Sequence, residues 1–170
     1  MKLNGDFFNR DCLEVAPDLV GKLLVRKLDD GSIIKIRITE TEAYRGEEDK
    51  GCHASKGRTQ RTELLYGESG IIYVYLCYGM HWLMNVITGE KEQPQGVLFR
   101  AGEGRNGPAK LTKFLGVDKS FNGESFIYNS RIWIEDDGFE AKIRADKRVG
   151  IDYAGEYWSS VPWRFILDNK

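Results

Sequence analysis

The sequence predicts an α+β fold: a single domain over residues 1–170, built on a largely antiparallel sheet. Three observations predict it. Strand-like runs come in pairs joined by turn sequences, helical patterns are few and short, and no internal repeat, low-complexity tract or linker divides the chain. Its 170 residues suffice for one well-filled core, and 41% hydrophobic with 30% charged residues is an ordinary globular composition.

Asp11 to Val15 opens a short helix, and Pro17 suits the first turn of a second that ends near Gly21. Lys22 to Leu28 and Ser32 to Thr41 read as strands joined by the tight turn Asp29-Asp30-Gly31. In the second strand Ile34, Ile36 and Ile38 alternate with Lys35, Arg37 and Thr39, the period-two mark of one buried face. Continued at the same parity, that inward face ends in Glu40, Glu42 and Tyr44. Arg45 to Gly70 is polar and glycine-rich with no sustained period, and loops of that length in a compact domain are usually functional or mobile. Ile71 to Ile87 is the one long apolar run. It contains three tyrosines, Gly79, His81 and Asn85, and falls short of the roughly 20 clean apolar residues of a membrane span. It reads instead as two strands, Ile71 to Cys77 and Trp82 to Ile87, with Tyr78-Gly79-Met80-His81 at or near the tip. A tyrosine and a methionine there either fold back onto the core or form an apolar wedge offered to a partner. Val97 to Ala101 is another strand, with Arg100 near its end. Asn106-Gly107-Pro108 starts a helix striped by Leu111, Phe114 and Leu115 and stopped by Gly116. Ile132 to Ile134 and Phe139 to Arg144 flank Asp136-Asp137-Gly138 as a further hairpin, and Pro162 to Leu167 is a final strand.

The net charge of −1 gives no global hint of a polyanionic partner, but charge is uneven. Lys56, Arg58 and Arg61 form a basic cluster, Ala141 to Arg148 is a second, and Glu40 to Asp49 is acidic. Cys12, Cys52 and Cys77 are odd in number with no Cys-x-x-Cys spacing, and only His53 and His81 could join them. A structural zinc is therefore not expected, and a reduced, cytoplasmic compartment fits. The N-terminus lacks the apolar segment of a signal peptide.

Glu40 and Glu42, two apart on a strand, share a face at roughly 6–7 Å between Cα atoms. Like charges that close in a dry site push their pKa values apart, so one could act as a base; alternatively both pair with arginines. His53 is a structural histidine or a pocket residue beside the acidic strand end. No Gly-x-Ser-x-Gly elbow and no Walker A loop occurs. Tyr73 and Tyr75 share a strand face, and a tyrosine-lined slot suits a flat, electron-poor ring.

The ordered set ITETEAYRGEED, CHASKGRTQRT, IIYVYLCYGMHWLMNV, VLFRA, GPAKL and RVGIDYAGEYW closely resembles the alkyladenine (3-methyladenine) DNA glycosylase family from Phe7 to Phe165. The resemblance implies a curved sheet with peripheral helices and a protruding, DNA-inserting hairpin, and a monofunctional repair enzyme working as a monomer on double-stranded DNA. It would flip out damaged purines (3-methyladenine, 7-methylguanine, hypoxanthine, ethenoadenine) and hydrolyse their glycosidic bond without metal, cofactor or strand-cleaving lyase step. Glu42 would activate water with Arg100 close by. Tyr44, His53 and Tyr75 would enclose the base, Asn85 would crowd the 2-amino group of normal guanine, and Tyr78 would fill the vacancy in the duplex. Met80, Arg58, Lys110 and Arg148 are expected on the DNA side. Two departures stand out: Cys52 where the family often has serine, and only Gly102 to Asn106 where members commonly carry a longer segment. The competing readings are a catalytically weak damage-recognition module of the same fold, and a small-molecule hydrolase using Glu40 and Glu42.

Overall fold

The computed structural model describes residues 1–169, and its backbone is organised by one long strand. The elements are α1 (Gly5–Phe8), α2 (Cys12–Leu19), β1 (Leu23–Lys27), β2 (Ile33–Arg45), β3 (Ile72–Cys77), β4 (His81–Ile87), β5 (Gln95–Gly102), β6 (Arg105–Asn106), α3 (Pro108–Leu115), β7 (Ile132–Glu135), β8 (Ile143–Asp146), α4 (Glu156–Ser160) and β9 (Arg164–Leu167). The main strand order is β3-β4-β5-β2-β1-β7, with β9 also on β2, β8 on β9 and β6 on β5. Every ladder among these strands is antiparallel.

Alternation assigns the two faces of the sheet. Val97 and Phe99 of β5, Ile72 and Val74 of β3, and Met84 and Val86 of β4 join the main core with α2 and α3, while the intervening residues line a cavity. On β2 the parity does not run through as expected. The β2–β5 ladder is irregular on both sides of Glu40, and the core positions change there from Ile36 and Ile38 to Thr41 and Ala43. A β-bulge does this, because one displaced residue exchanges the faces of all that follow. Glu42 and Tyr44 therefore leave the apolar face and point into the cavity opposite.

Two further expectations are corrected. Residues 12–19 form one helix, N-capped by Asp11, whose side chain accepts from Leu13 N, and Pro17 lies inside it. The proline removes a single i→i−4 bond from a helix held by the burial of Cys12, Val15, Ala16 and Leu19. Ile132 to Ile134 and Phe139 to Arg144 do not pair with each other. β7 pairs with β1 and β8 with β9, because Arg37 holds Asp137 through two hydrogen bonds of 3.0 and 2.8 Å and lies over the Phe139 ring, diverting the chain after β7. The helix after Pro108 forms as read, with Gly116 in the left-handed conformation at φ 66° closing it.

Candidate active site

The bulged end of β2 delivers Glu42 and Tyr44 to a cavity of about 480 Å³. His53 reaches it from a 3-10 turn (His53–Lys56) in the long loop, Tyr75 and Tyr78 from β3 and its turn, Asn85 from β4 and Arg100 from β5. These seven residues, far apart in sequence, are the ones the structure brings together.

Glu42 is fully buried. Its Oε1 accepts from the Tyr44 hydroxyl at 2.8 Å and its Oε2 from the Val149 amide at 2.7 Å. Arg100 Nε lies 3.9 Å from the same Oε2 and 2.9 Å from Glu40 Oε2, the shorter contact lying off the N–H axis, as an ion contact rather than an aligned hydrogen bond. Glu40 also faces Arg164 at 3.3 Å. The two carboxylates thus diverge: Glu40 is taken up by two arginines, whereas Glu42 is held in a fixed orientation by neutral donors. Burial pushes Glu42 above the ordinary carboxylate range, and the Val149 amide, Arg100 and the Tyr44 hydroxyl oppose it.

The aromatic side of the cavity is a contact cluster. The His53 and Tyr75 rings meet at 4.5 Å and 62°, Tyr73 and Tyr75 at 5.5 Å, and the Tyr73 hydroxyl is 2.9 Å from His53 Nδ1. Burial, and secondarily the charge of Arg61, lowers His53 to about 4, so the imidazole is neutral at physiological pH. Asn85 donates from Nδ2 to the Tyr73 carbonyl at 3.2 Å. Cys52 lines the cavity beside His53, and burial pushes its thiol up to about 12, leaving it protonated.

Tyr78 does not fold back onto the core. It is 91% exposed and Met80 71%, at the apex where Cys77 pairs with His81. Tyr78 has φ 53°, a left-handed conformation costing a non-glycine residue about 1–2 kcal/mol. The turn presents its aromatic ring beside the cavity mouth in spite of that strain.

The expected DNA-side cations separate. Lys110 is exposed on α3 next to cavity-lining Ala109. Arg58 is exposed but ion-paired with Glu63 and Glu92. Arg148 is not on the surface at all. Its guanidinium is fully buried, donating to both Asp49 oxygens at 2.7 and 2.9 Å and to the Ala43 and Trp158 carbonyls at 3.0 Å each. It also lies 4.8 Å from the Tyr44 ring centroid. The absence of a side chain at Gly51 makes room, since a Cβ there would sit 3.1 Å from the guanidinium. Burial alone would lower Arg148, but its bonds to Asp49 outweigh it and the net direction is upward. A salt bridge this deep fixes structure and is out of reach of a phosphate.

Sequence reasoning missed Asp49 and Val149. Asp49 closes an acidic run that reads as solvated surface, with the excess positive charge around Arg148 as its only hint. Val149 acts through its backbone amide, which no side-chain pattern reveals.

The sequence profile described as Methylpurine-DNA glycosylase (MPG) matches residues 6–105 and 103–170. The two pieces meet at the turn Glu103-Gly104, where Gly102 pairs with Arg105 in the short β5–β6 hairpin. The chain is 43% identical over 194 residues to a protein of Natranaerobius thermophilus, covering 99% of this chain and 97% of that one. Identity is 42% over 198 residues with a protein of Desulfitobacterium hafniense (99% and 96% covered), and 42% over 202 residues with one of Clostridium perfringens (100% and 98%). Each is named as a candidate 3-methyladenine DNA glycosylase. The chain belongs to the methylpurine-DNA glycosylase family, DNA-repair hydrolases that act on N-glycosidic bonds.

Proposed function

We propose that this protein is a monofunctional glycosylase that extrudes damaged purines from duplex DNA into the aromatic cavity and hydrolyses their N-glycosidic bond with Glu42 as the base. The observation that carries the reading is a single buried carboxylate, fixed by the Val149 amide and the Tyr44 hydroxyl, in a tyrosine- and histidine-lined cavity beside an exposed, strained tyrosine.

The chemistry fits that arrangement. Cleavage develops positive charge on the sugar, so an ionised carboxylate both orients water and stabilises the oxocarbenium-like state. Arg100, 3.9 Å from Glu42, favours the ionised form that burial disfavours. Extruding a base costs a few kcal/mol of stacking, which a side chain inserted into the gap partly offsets, and Tyr78 is placed and exposed for that. Met80 beside it and Lys110 near the cavity rim are assigned to the DNA side, with Arg58 contributing less because two glutamates hold it. No lysine lines the cavity among the described residues, which supports hydrolysis without a Schiff base.

The test is a duplex with a single hypoxanthine or ethenoadenine, and separately methylated DNA, assayed for free base and abasic sites. Release from at least one substrate is expected, and release from none would overturn the reading. Tight lesion binding without release would favour the damage-recognition module instead. Hydrolysis of free nucleosides with no activity on duplex would favour the small-molecule hydrolase.

A further inference from the structure

We infer that Arg61 is a specificity-determining residue that biases the aromatic slot against positively charged bases and so toward neutral purine lesions. This rests on the glycosylase reading above. Two of the cavity's tyrosines carry a guanidinium against the ring: Arg148 at 4.8 Å from the Tyr44 centroid, and Arg61 at 5.6 Å from the Tyr75 centroid. Neither arginine lines the cavity, so each approaches its ring from outside the space a base would occupy. The quadrupole of an aromatic face attracts a cation. A cationic base on the inner side of such a ring meets, through it, the field of the charge outside.

The two arginines differ in what neutralises them. Arg148 is bonded to the Asp49 carboxylate at 2.7 and 2.9 Å, so the pair presents little net charge to the slot. Arg61 is exposed and, among the described residues, has no carboxylate within salt-bridge distance, while neighbouring Arg58 takes both Glu63 and Glu92. The side chain set edge-on against the same tyrosine is the uncharged His53, and the deep carboxylate Glu42 has Arg100 at 3.9 Å. Of the two arginines set against the cavity's tyrosines, Arg61 is therefore the uncompensated charge. At a separation of about 9 Å and an effective dielectric of about 20, the repulsion corresponds to on the order of tenfold in the occupancy of a cationic base after some screening by solvent. A neutral base is spared it. An exposed arginine that merely held a phosphate would act on every lesion alike.

The test compares single-turnover release of 7-methylguanine and of hypoxanthine from the same duplex position by the wild type, Arg61→Gln and Arg61→Lys. Arg61 is exposed, so neither variant threatens the fold. In Arg61→Gln the ratio of 7-methylguanine to hypoxanthine release is expected to rise about tenfold at about 50 mM salt and less at about 200 mM. Arg61→Lys, which keeps the charge, is expected to keep the wild-type ratio. If both rates fall together in Arg61→Gln and the ratio stays within about twofold of the wild type, the inference is overturned and Arg61 is a phosphate contact. Wild-type protein that released neither base would instead bring down the glycosylase reading, and this inference with it.

Discussion

Replacing Asp49 by asparagine tests the socket that holds the site together. Both oxygens of Asp49 are used twice: Oδ1 accepts from Gly51 N and Arg148 Nη2, each at 2.9 Å, and Oδ2 from Arg45 N at 2.9 Å and Arg148 Nη1 at 2.7 Å. Asparagine has the same shape but only one accepting oxygen. Its amide group would turn hydrogens toward two donors, and the Arg148 guanidinium, with 0% side-chain exposure, would lose its counter-charge. Removing one partner of a buried pair costs about 3–5 kcal/mol. At about 2–4 °C per kcal/mol for a domain of this size, the melting midpoint should fall by roughly 6–20 °C. Thermal melts and urea titrations at neutral pH measure this, and the urea slope should be unchanged. Base release should fall further than stability at a temperature where the variant is folded, by about tenfold or more, because the Val149 amide that holds Glu42 is the next residue after Arg148. A midpoint within about 2 °C of the wild type would show that Arg148 does not depend on Asp49 for its counter-charge, since a buried charge cannot lose its partner at no cost.

Glu42→Gln should abolish release while leaving lesion binding largely intact, and near-normal turnover would rule Glu42 out as the base. Because burial raises Glu42 above its usual 4.5, the protonated form favours the fold; that stability is fully present below 4.5 and lost as pH rises through the raised value. Glu42→Gln, which is neutral at every pH, should therefore gain in stability relative to the wild type as pH rises from 4.5 toward neutral, and a difference independent of pH would show that burial does not raise this carboxyl. His53 has the opposite sign. Its lowered value stabilises the fold above its ordinary 6.5, and this is lost as pH falls toward about 4. Against His53→Phe, the wild type should lose up to about 3 kcal/mol between those limits by urea midpoint; parallel curves would show that burial does not hold the imidazole neutral. Tyr78→Gly should stabilise the protein by about 0.5–1 kcal/mol, because it relieves a left-handed tyrosine that packs on nothing, while lesion and undamaged duplex become harder to tell apart in binding assays. Unchanged discrimination would remove Tyr78 from the wedge role.

The β1–β2 hairpin and the β3–β4 hairpin were legible because period-two alternation and turn chemistry are local and agree with each other. The faces were not. Alternation carried Ile36, Ile38, Glu40, Glu42 and Tyr44 along one side, and the bulge at Glu40 exchanges the sides midway through the strand. Bulges answer to tertiary fit and leave little trace in a hydropathy pattern. The hairpin expected around Asp136-Asp137-Gly138 failed similarly, since a long-range pair with Arg37 overrides a good local turn sequence. For the site, the resemblance supplied the roles and the fold shows which residues can meet. The fold brings Glu42, Tyr44, His53, Tyr75, Asn85 and Arg100 into one cavity and leaves Arg148 buried, where the resemblance implied a cation on the DNA side.

The Val149–Glu42 hydrogen bond also has a consequence in time. Its partners are 107 positions apart, and the Arg148–Asp49 pair that anchors the same segment spans 99. A chain emerging N-terminus first can pair β1 with β2 early, yet Glu42 stays a loosely held carboxylate until the segment around Val149 has been made and docked. Competence for chemistry should therefore arrive as one of the last events of folding. If Glu42 is the base proposed above, a carboxylate not fixed until the sheet around it is complete is one that a half-folded chain cannot use on the nucleic acid it meets.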